Sequence, residues 1–285
     1  MVQKAANMKR LDQALVARQY VSSRTAAVRH IQAGEVVVNG KQVTKPATKV
    51  RDDDVIQLIT TGPQYASRAG HKLAGALDVF HTVNVSGARC LDAGASTGGF
   101  TDVLLQRGAQ HVVAVDVGHD QIVQRLRIDP RVEVHEGVNV RYLNLELIGE
   151  PVQIVVADLS FISLQLVIES LVAVSAPGAH LILMVKPQFE IGRERLPKTG
   201  VVLDPTQRRE AVLGVVEAAL QQGLAPQGLT ASPLPGQDGN KEFFFWATHD
   251  VAGAHLHDTI EAADWLDTQR VEWADEPPPG YPQRA

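Results

Sequence analysis

The chain has 285 residues, 45% of them hydrophobic, and a net charge of −5. That length favours two domains, each apolar enough to bury a core. A single cysteine, Cys90, excludes an intrachain disulfide framework and a cysteine metal cluster, and reads as a small buried hydrophobe. The start, MVQKAANMKR, has no apolar h-region. No run reaches ~18 uninterrupted apolar residues, because Glu169 and Pro177 break the longest candidate, 164–185. Neither a secretory signal nor a spanning helix is expected, and the chain reads as cytoplasmic. The net charge hides an asymmetry. Residues 1–62 carry ten Lys and Arg against five Asp and Glu, so the remainder carries −10. A basic module on an acidic body points to a polyanionic partner for the module.

The first unit spans residues 1–60. In RLDQALVAR, Leu11, Ala14, Leu15 and Ala17 are spaced as one helical face. SSRTAAVRHIQAG predicts a second helix, capped by Ser22 or Ser23 and stopped at Gly34. EVVVNGKQV predicts a hairpin around Asn39-Gly40, and KVRDDDVIQLI a turn and a closing strand. Arg24 and Arg29 lie on one helix and Lys41 follows the hairpin turn, where their side chains can track the phosphates of a folded RNA.

Residues 61–67 form a linker. The body, 68–266, alternates strands and helices. Strands are predicted over 88–93, 111–116, 132–135, 152–158, 180–186 and 242–248. Helices are predicted near 69–80, 99–107, 119–126, 163–175 and 205–222. This alternation implies an α/β fold with a mostly parallel, doubly wound sheet covered on both faces. The Pro-rich tail, 267–285, is expected to be disordered.

CLDAGASTGGFTDVLL places a glycine loop between a strand and a helix, the position of a cofactor-binding turn. A dinucleotide fingerprint would need glycine at position 96, where Ser96 stands, and without it the backbone cannot approach a pyrophosphate as closely. VVAVDVG ends its strand on Asp116, about 20 residues further on, where a carboxylate suits two ribose hydroxyls. Further ionisable residues fall at strand ends or beside them. Asp158 closes VVAD, Lys186 closes LILMVK, Glu242 opens EFFFW, and Lys72 lies on the helix before the first strand. Ligands of open α/β sheets bind outside the carboxyl ends of the strands. Asp158 and Lys186 therefore flank that crevice, and Glu242 reaches it if its strand runs antiparallel. A structural ion-pair network is the plainer account of any one of these residues alone.

Taken with their neighbours, these residues resemble known families. RLD, SRTAAVRHIQAGEVVVNGK and DDDVIQL resemble the S4 RNA-binding domain, which binds structured RNA. Asp92-x-Gly94-x-Ser96-x-Gly98 followed by Asp116 is similar to motifs of S-adenosylmethionine-dependent methyltransferases. Lys72, Asp158, Lys186 and Glu242 match in order the Lys–Asp–Lys–Glu tetrad of FtsJ-type ribose 2′-O-methyltransferases. SRAGHKL, ADLSFISL, VKPQFE and GNKEFFF, after an S4 domain, are similar to the TlyA family, rRNA 2′-O-methyltransferases that also bear the name hemolysin. The resemblance implies S-adenosylmethionine as cofactor, held by Asp92, Gly94, Ser96, Thr97, Gly98, Gly99, Phe100, Asp116, Val117, Asn139 and Asp158. It implies ribosomal RNA or a ribosomal subunit as partner, with a cytidine ribose as target, and adds Arg10 and Arg68 to the RNA-facing set. Two other readings are a pore-forming hemolysin and an RNA-binding protein with an inactive methyltransferase body. The chemistry expected of Lys186 is to take the 2′-hydroxyl proton when neutral or to stabilise the developing alkoxide when charged. No metal is expected, since His249, His255 and His257 lack a metal-binding spacing. The charged stretch GRERLPKTGVV reads either as a solvated loop or as a substrate lid.

Overall fold

The computed structural model describes residues 8–58 (without 19, 22 and 33), 65–249 and 261–275. The chain divides into two compact units, Met1–Gln64 and Tyr65–Ala285. Most of the expected linker, together with His255, His257 and residues 276–285, lies outside the described residues.

The first unit contains β1 (Lys9–Arg10), α1 (Leu11–Ala17), α2 (Arg24–Gln32), β2 (Val36–Val38), β3 (Lys41–Gln42), β4 (Lys49–Val50) and β5 (Ile56–Leu58). The Ser23 hydroxyl accepts the Ala26 N–H at 3.2 Å near the start of α2. Asn39 and Gly40 adopt φ of 49° and 78°, the left-handed pair that a two-residue hairpin turn requires. The core is Leu11, Leu15, Ala27, Ile31, Val36 and Ile56. Ala17 is exposed, against expectation. Six residues of helix turn it about 240° from Leu11, off the apolar face. Asp12 is buried instead, 1% exposed.

The body runs α3 (Arg68–Val79), β6 (Arg89–Ala93), α4 (Gly99–Gln106), β7 (His111–Asp116), α5 (Gln124–Arg127), β8 (Val132–Glu136), α6 (Leu145–Ile148), β9 (Val152–Ala157), α7 (Ile168–Ala173), β10 (Ser175–Val185), α8 (Pro187–Glu190), α9 (Pro205–Gln221), β11 (Leu224–Ala231), β12 (Phe243–His249) and α10 (Ala262–Thr268). Its seven strands are ordered β11-β12-β10-β9-β6-β7-β8. The pairings from β8 across to β10 are parallel, and β12 runs antiparallel between β10 and β11. This is the expected doubly wound sheet with one reversed strand. Strand order reverses between β6 and β9, the switch point at which such sheets open a ligand crevice. The central strands read as near-continuous Val, Ile and Leu because both faces are covered.

Three departures from expectation have local causes. β11 was invisible in LAPQGLTA, where Pro226 and Gly228 flank a register shift; an edge strand tolerates a proline that an interior strand would not. The helix expected over 119–126 shortens to α5, because Asp120 takes φ of 54°. The helix expected over 163–175 breaks into a tight turn, Leu164–Leu166, followed by α7, and Ser175 already belongs to β10.

The tail also differs. Residues 267–275, expected to be disordered, are built into the body. Trp265 and Leu266 join the main core, and the Trp273 ring lies 5.1 Å from that of Phe243. Arg208, 0% exposed, donates to the carbonyls of Val202 and Trp273 at 2.8 Å and to Asp275 at 3.1 Å. Composition misled here because the prolines begin only at Pro277, whereas residues 267–275 hold none and supply Trp273 and the partners of a buried guanidinium. Among the described residues no helix is long and apolar enough to cross a membrane.

Candidate active site

β6 ends on Asp92 and Ala93, and the chain then turns through Gly94–Gly98 into α4. Gly94 has φ of 86°, and a Cβ there would stand 2.7 Å from the Asp158 carbonyl oxygen. Only glycine lets the loop lie this close to the end of β9. Beside it opens a cavity of ≈ 480 Å³, bordered by Gly94, Ser96, Asp116, Val117, Asn139 and Asp158 from the expected set. A smaller adjoining cavity touches Gly99, Phe100, Asp158 and Lys186. Asp92, Thr97 and Gly98 border neither cavity. The Thr97 carbonyl accepts the Val123 N–H at 3.2 Å, and Gly98 turns the chain into α4 at φ of 91°.

Asp116 anchors the loop from the next strand. Its Oδ2 accepts the Ser96 N–H at 2.7 Å and its Oδ1 the Gly118 N–H at 2.7 Å. Each carboxylate oxygen has two lone pairs, so acceptor capacity remains for a diol. Asn139 accepts the Arg141 N–H at 3.0 Å, which fixes the wall opposite. Asp92 is 0% exposed. It accepts the Thr101 N–H at 2.8 Å and the Thr101 hydroxyl at 2.6 Å, while its Oδ1 has no partner among the described residues. Burial pushes its carboxyl up to about 7; the Thr101 bonds oppose this, and the charges of Asp158 and Asp116 add to it. The Cys90 thiol, buried one strand position from Leu91, is pushed up to about 12 by burial and is an inert core group.

The four ionisable residues form two pairs. Lys72 Nζ donates to Glu242 Oε2 at 2.6 Å, with side chains 10% and 3% exposed. Lys186 Nζ lies 2.6 Å from Asp158 Oδ1, with side chains 10% and 17% exposed. The first pair is hydrogen-bonded. The second is a close charge contact without hydrogen-bond alignment, and Lys186 instead donates to the Ser160 hydroxyl at 3.0 Å. Val185 pairs with Phe243 across β10 and β12, so Lys186 and Glu242 leave neighbouring strands at the same sheet edge. Glu242 is thus brought to this edge by the reversed strand, and neither it nor Lys72 borders the two cavities.

Several cavity residues carried no separate signal in the sequence: Gln121, Val138, Leu159, Ser160, Phe161 and Ile162. Ser160 and Phe161 follow Asp158 in ADLSFISL, so their place in the chain was the available clue. Phe161 is 92% exposed and takes φ of 65°. A bulky residue in that region costs of order 1–3 kcal/mol and persists where the surroundings over-determine it. Its ring lies 5.3 Å from that of Phe189, which in turn has Lys186 Nζ 6.0 Å from its centroid.

In the first unit, Asp12 gathers two of the expected RNA-facing arginines. Arg10 donates to it twice at 3.0 Å, and Arg24 Nε once at 2.9 Å. These hold its carboxyl down at about 2, the Arg10 bond most of all, against the opposing effect of burial. Arg29 and Lys41 are exposed. Arg68, on α3 of the body, is exposed and donates to the Pro235 carbonyl at 3.0 Å. The charged loop after α8 is tethered rather than free. Arg195 pairs with Glu210 at 2.7 Å, and Ile191 and Val202 sit with Ala211 in a small core of their own.

The family model for FtsJ-like methyltransferases matches residues 65–249, and that for the S4 domain matches residues 9–56. The chain is 49% identical over 238 residues to the 16S/23S rRNA (cytidine-2′-O)-methyltransferase TlyA of Mycobacterium tuberculosis, covering 83% of this chain and 88% of the relative. It is 30% identical over 244 residues to the 23S rRNA (cytidine-2′-O)-methyltransferase TlyA of Campylobacter jejuni, covering 79% and 93%. A solved structure from Streptococcus thermophilus that bears a hemolysin name superposes with a TM-score of 0.67 at 37% identity, covering 87% and 90%. The glycine loop beside its cavity and the paired lysines and carboxylates at the sheet edge stand within the region that the methyltransferase model spans, and the chain belongs to the TlyA family of S4-bearing, FtsJ-like methyltransferases.

Proposed function

We propose that the protein transfers a methyl group from S-adenosylmethionine to the 2′-hydroxyl of a cytidine in ribosomal RNA, with Lys186 handling the hydroxyl proton. The observation that carries this reading is the placement of Lys186. Its side chain borders the smaller cavity that adjoins the cofactor-sized one and shares Gly94, Ser96, Asp158 and Ser160 with it. Its nitrogen lies 2.6 Å from a carboxylate and is committed to one hydrogen bond, to Ser160, among the described residues.

The cavity fits the cofactor. Gly94 lets the loop close against Asp158 at the cavity's edge, Asp116 offers acceptors for a ribose diol, and Val117, Val140 and Ile162 supply apolar walls for a base. When bound, S-adenosylmethionine supplies an electrophilic methyl group on a sulfonium. Everything else falls to the chain. A ribose hydroxyl holds its proton tightly, so Lys186 either takes that proton as a neutral amine or stabilises the developing alkoxide as an ammonium. Asp158 holds the lysine by charge and Ser160 by hydrogen bond. The Lys72–Glu242 pair, which borders neither cavity, is carried to the same sheet edge by the strand that neighbours β10 and positions the ribose from there. Phe161 offers an exposed, fixed ring on which a base drawn out of its helix can stack. Arg10, Arg24, Arg29, Lys41 and Arg68 bind phosphate.

The relative whose name covers both 16S and 23S RNA is the more similar of the two, which favours both RNAs as substrates. The test is transfer of labelled methyl to isolated small and large ribosomal subunits, followed by mapping of the modified ribose. Modification of a cytidine 2′-oxygen in both is expected. Transfer to a base atom, or to neither RNA, sinks the proposal. A rate that rises with pH as the lysine loses its proton marks Lys186 as the base, and a falling rate marks it as the charged stabiliser.

A further inference from the structure

Two loops leave neighbouring strand ends, one after β9 and one after β10, and three contacts join them. Lys186 meets Asp158 and Ser160. Phe189 meets Phe161. Farthest from the cavity, Glu190 accepts hydrogen bonds from the Ser163 hydroxyl at 2.5 Å, the Leu164 N–H at 2.8 Å and Gln165 Nε2 at 3.3 Å. Glu190 borders neither cavity and takes no part in the chemistry described above. Burial pushes its carboxyl above the ordinary range, opposed by its three donors. A glutamate on a solvated surface would need none of them.

We propose that Glu190 is a positioning residue for methyl transfer, clamping Ser163 and Leu164 so that the loop bearing Asp158, Ser160 and Phe161 stays in register with Lys186. The inference rests on the ribose methylation proposed above. The mechanics are short-range. Glu190 lies four residues beyond Lys186 on α8, and that segment is stiffened by the bonds Phe189 N–H to Lys186 O at 2.9 Å and Ile191 N–H to Pro187 O at 3.2 Å. Ser163 lies five residues beyond Asp158, with the left-handed Phe161 between them. Releasing the far end of the loop lets Phe161 relax to a common backbone conformation and carries Ser160 away from the lysine. A shift of about 1 Å in a reacting group can cost ~10²-fold in rate.

Single-turnover transfer at saturating RNA and cofactor tests this in the full chain for E190A, E190Q and S163A. E190A should slow transfer by about 10- to 100-fold while its affinity for S-adenosylmethionine, read by calorimetry, is unchanged. In E190Q the amide oxygen still accepts from Leu164 and the amide N–H donates to the Ser163 oxygen, so most of the rate should return. S163A, which removes one donor, should slow transfer in the same direction but less. Amide hydrogen exchange over residues 159–166 should rise in E190A and not in E190Q. A wild-type rate in E190A overturns the proposal. So does an E190Q as slow as E190A, since charge and not geometry would then matter. If E190A is partly unfolded, a wild-type rate and exchange in S163A overturn it equally. A wild-type protein that modifies no RNA sinks the preceding reading instead, and the exchange measurement then judges the clamp alone.

Discussion

Lys72 and Lys186 are the same residue type, equally exposed, yet their surroundings assign them different consequences when lost. Glu242, the partner of Lys72, keeps 3% of its side chain exposed, whereas Asp158, the partner of Lys186, keeps 17% and lies next to the open cavity. Removing one member of a buried pair leaves an uncompensated charge and typically costs ~3–5 kcal/mol. Lys72→Ala should therefore lower the melting temperature sharply. Lys186→Ala should lower it far less, while abolishing transfer and sparing cofactor affinity, because water can reach Asp158. Melting and single-turnover methylation on both variants check this; equal losses of stability would contradict it. Asp92 gives a pH signature. Its carboxyl rises from 3.8 to about 7 on folding, so between those values the folded state binds more protons than the unfolded state. Stability from this group is thus present below the unfolded value and lost as pH rises through about 7. Asp92→Asn removes the titration. The variant should melt near the parent at pH ~3.5, and its advantage should grow to several degrees by pH ~8. A gap that does not widen with pH would count against the assignment.

At the scale of elements, the segment after α10 acts as a strap. It supplies the Trp273 carbonyl and Asp275 to the buried Arg208, and the Ala274 carbonyl to Lys241 at 2.5 Å. Arg208 in turn holds the Val202 carbonyl, and the Val202 N–H is held by Asn240 Oδ1 at 2.9 Å, two residues before Glu242. Ending the chain after Thr268 should cost about 1–3 kcal/mol, the usual penalty for buried polar groups left without partners. Chemical denaturation measures it. An unchanged midpoint would show that Arg208 finds water as readily as it finds the strap.

At the scale of the whole molecule, the first unit has a hydrophobic core of its own, separate from those of the body, which supports two separable tasks. Deleting residues 1–64 should leave cofactor binding intact and weaken RNA binding. Each phosphate contact contributes about 0.7–0.9 to the salt slope, so loss of Arg10, Arg24, Arg29 and Lys41 should flatten the plot of log affinity against log salt by about 3. An unchanged slope would place the RNA contacts elsewhere. The strand–helix alternation, the Asn39-Gly40 hairpin and the residues at strand ends were legible in the sequence, because periodicity, turn chemistry and strand termini are local properties. Asp116, Asp158 and Lys186 could thus be placed at one sheet edge from the sequence alone, and Glu242 only on the condition that its strand ran antiparallel. Local signals could not show what depends on distant partners. Edge strand β11 hides behind Pro226, the strap adjoins a Pro-rich stretch, and the bonds of Glu190 with Ser163 and Leu164 need two loops brought side by side. The pairing of Lys72 with Glu242, and of Lys186 with Asp158, was also decided only by tertiary structure. Residues 170 positions apart in the chain become partners through the direction of one reversed strand, and no local pattern encodes that direction.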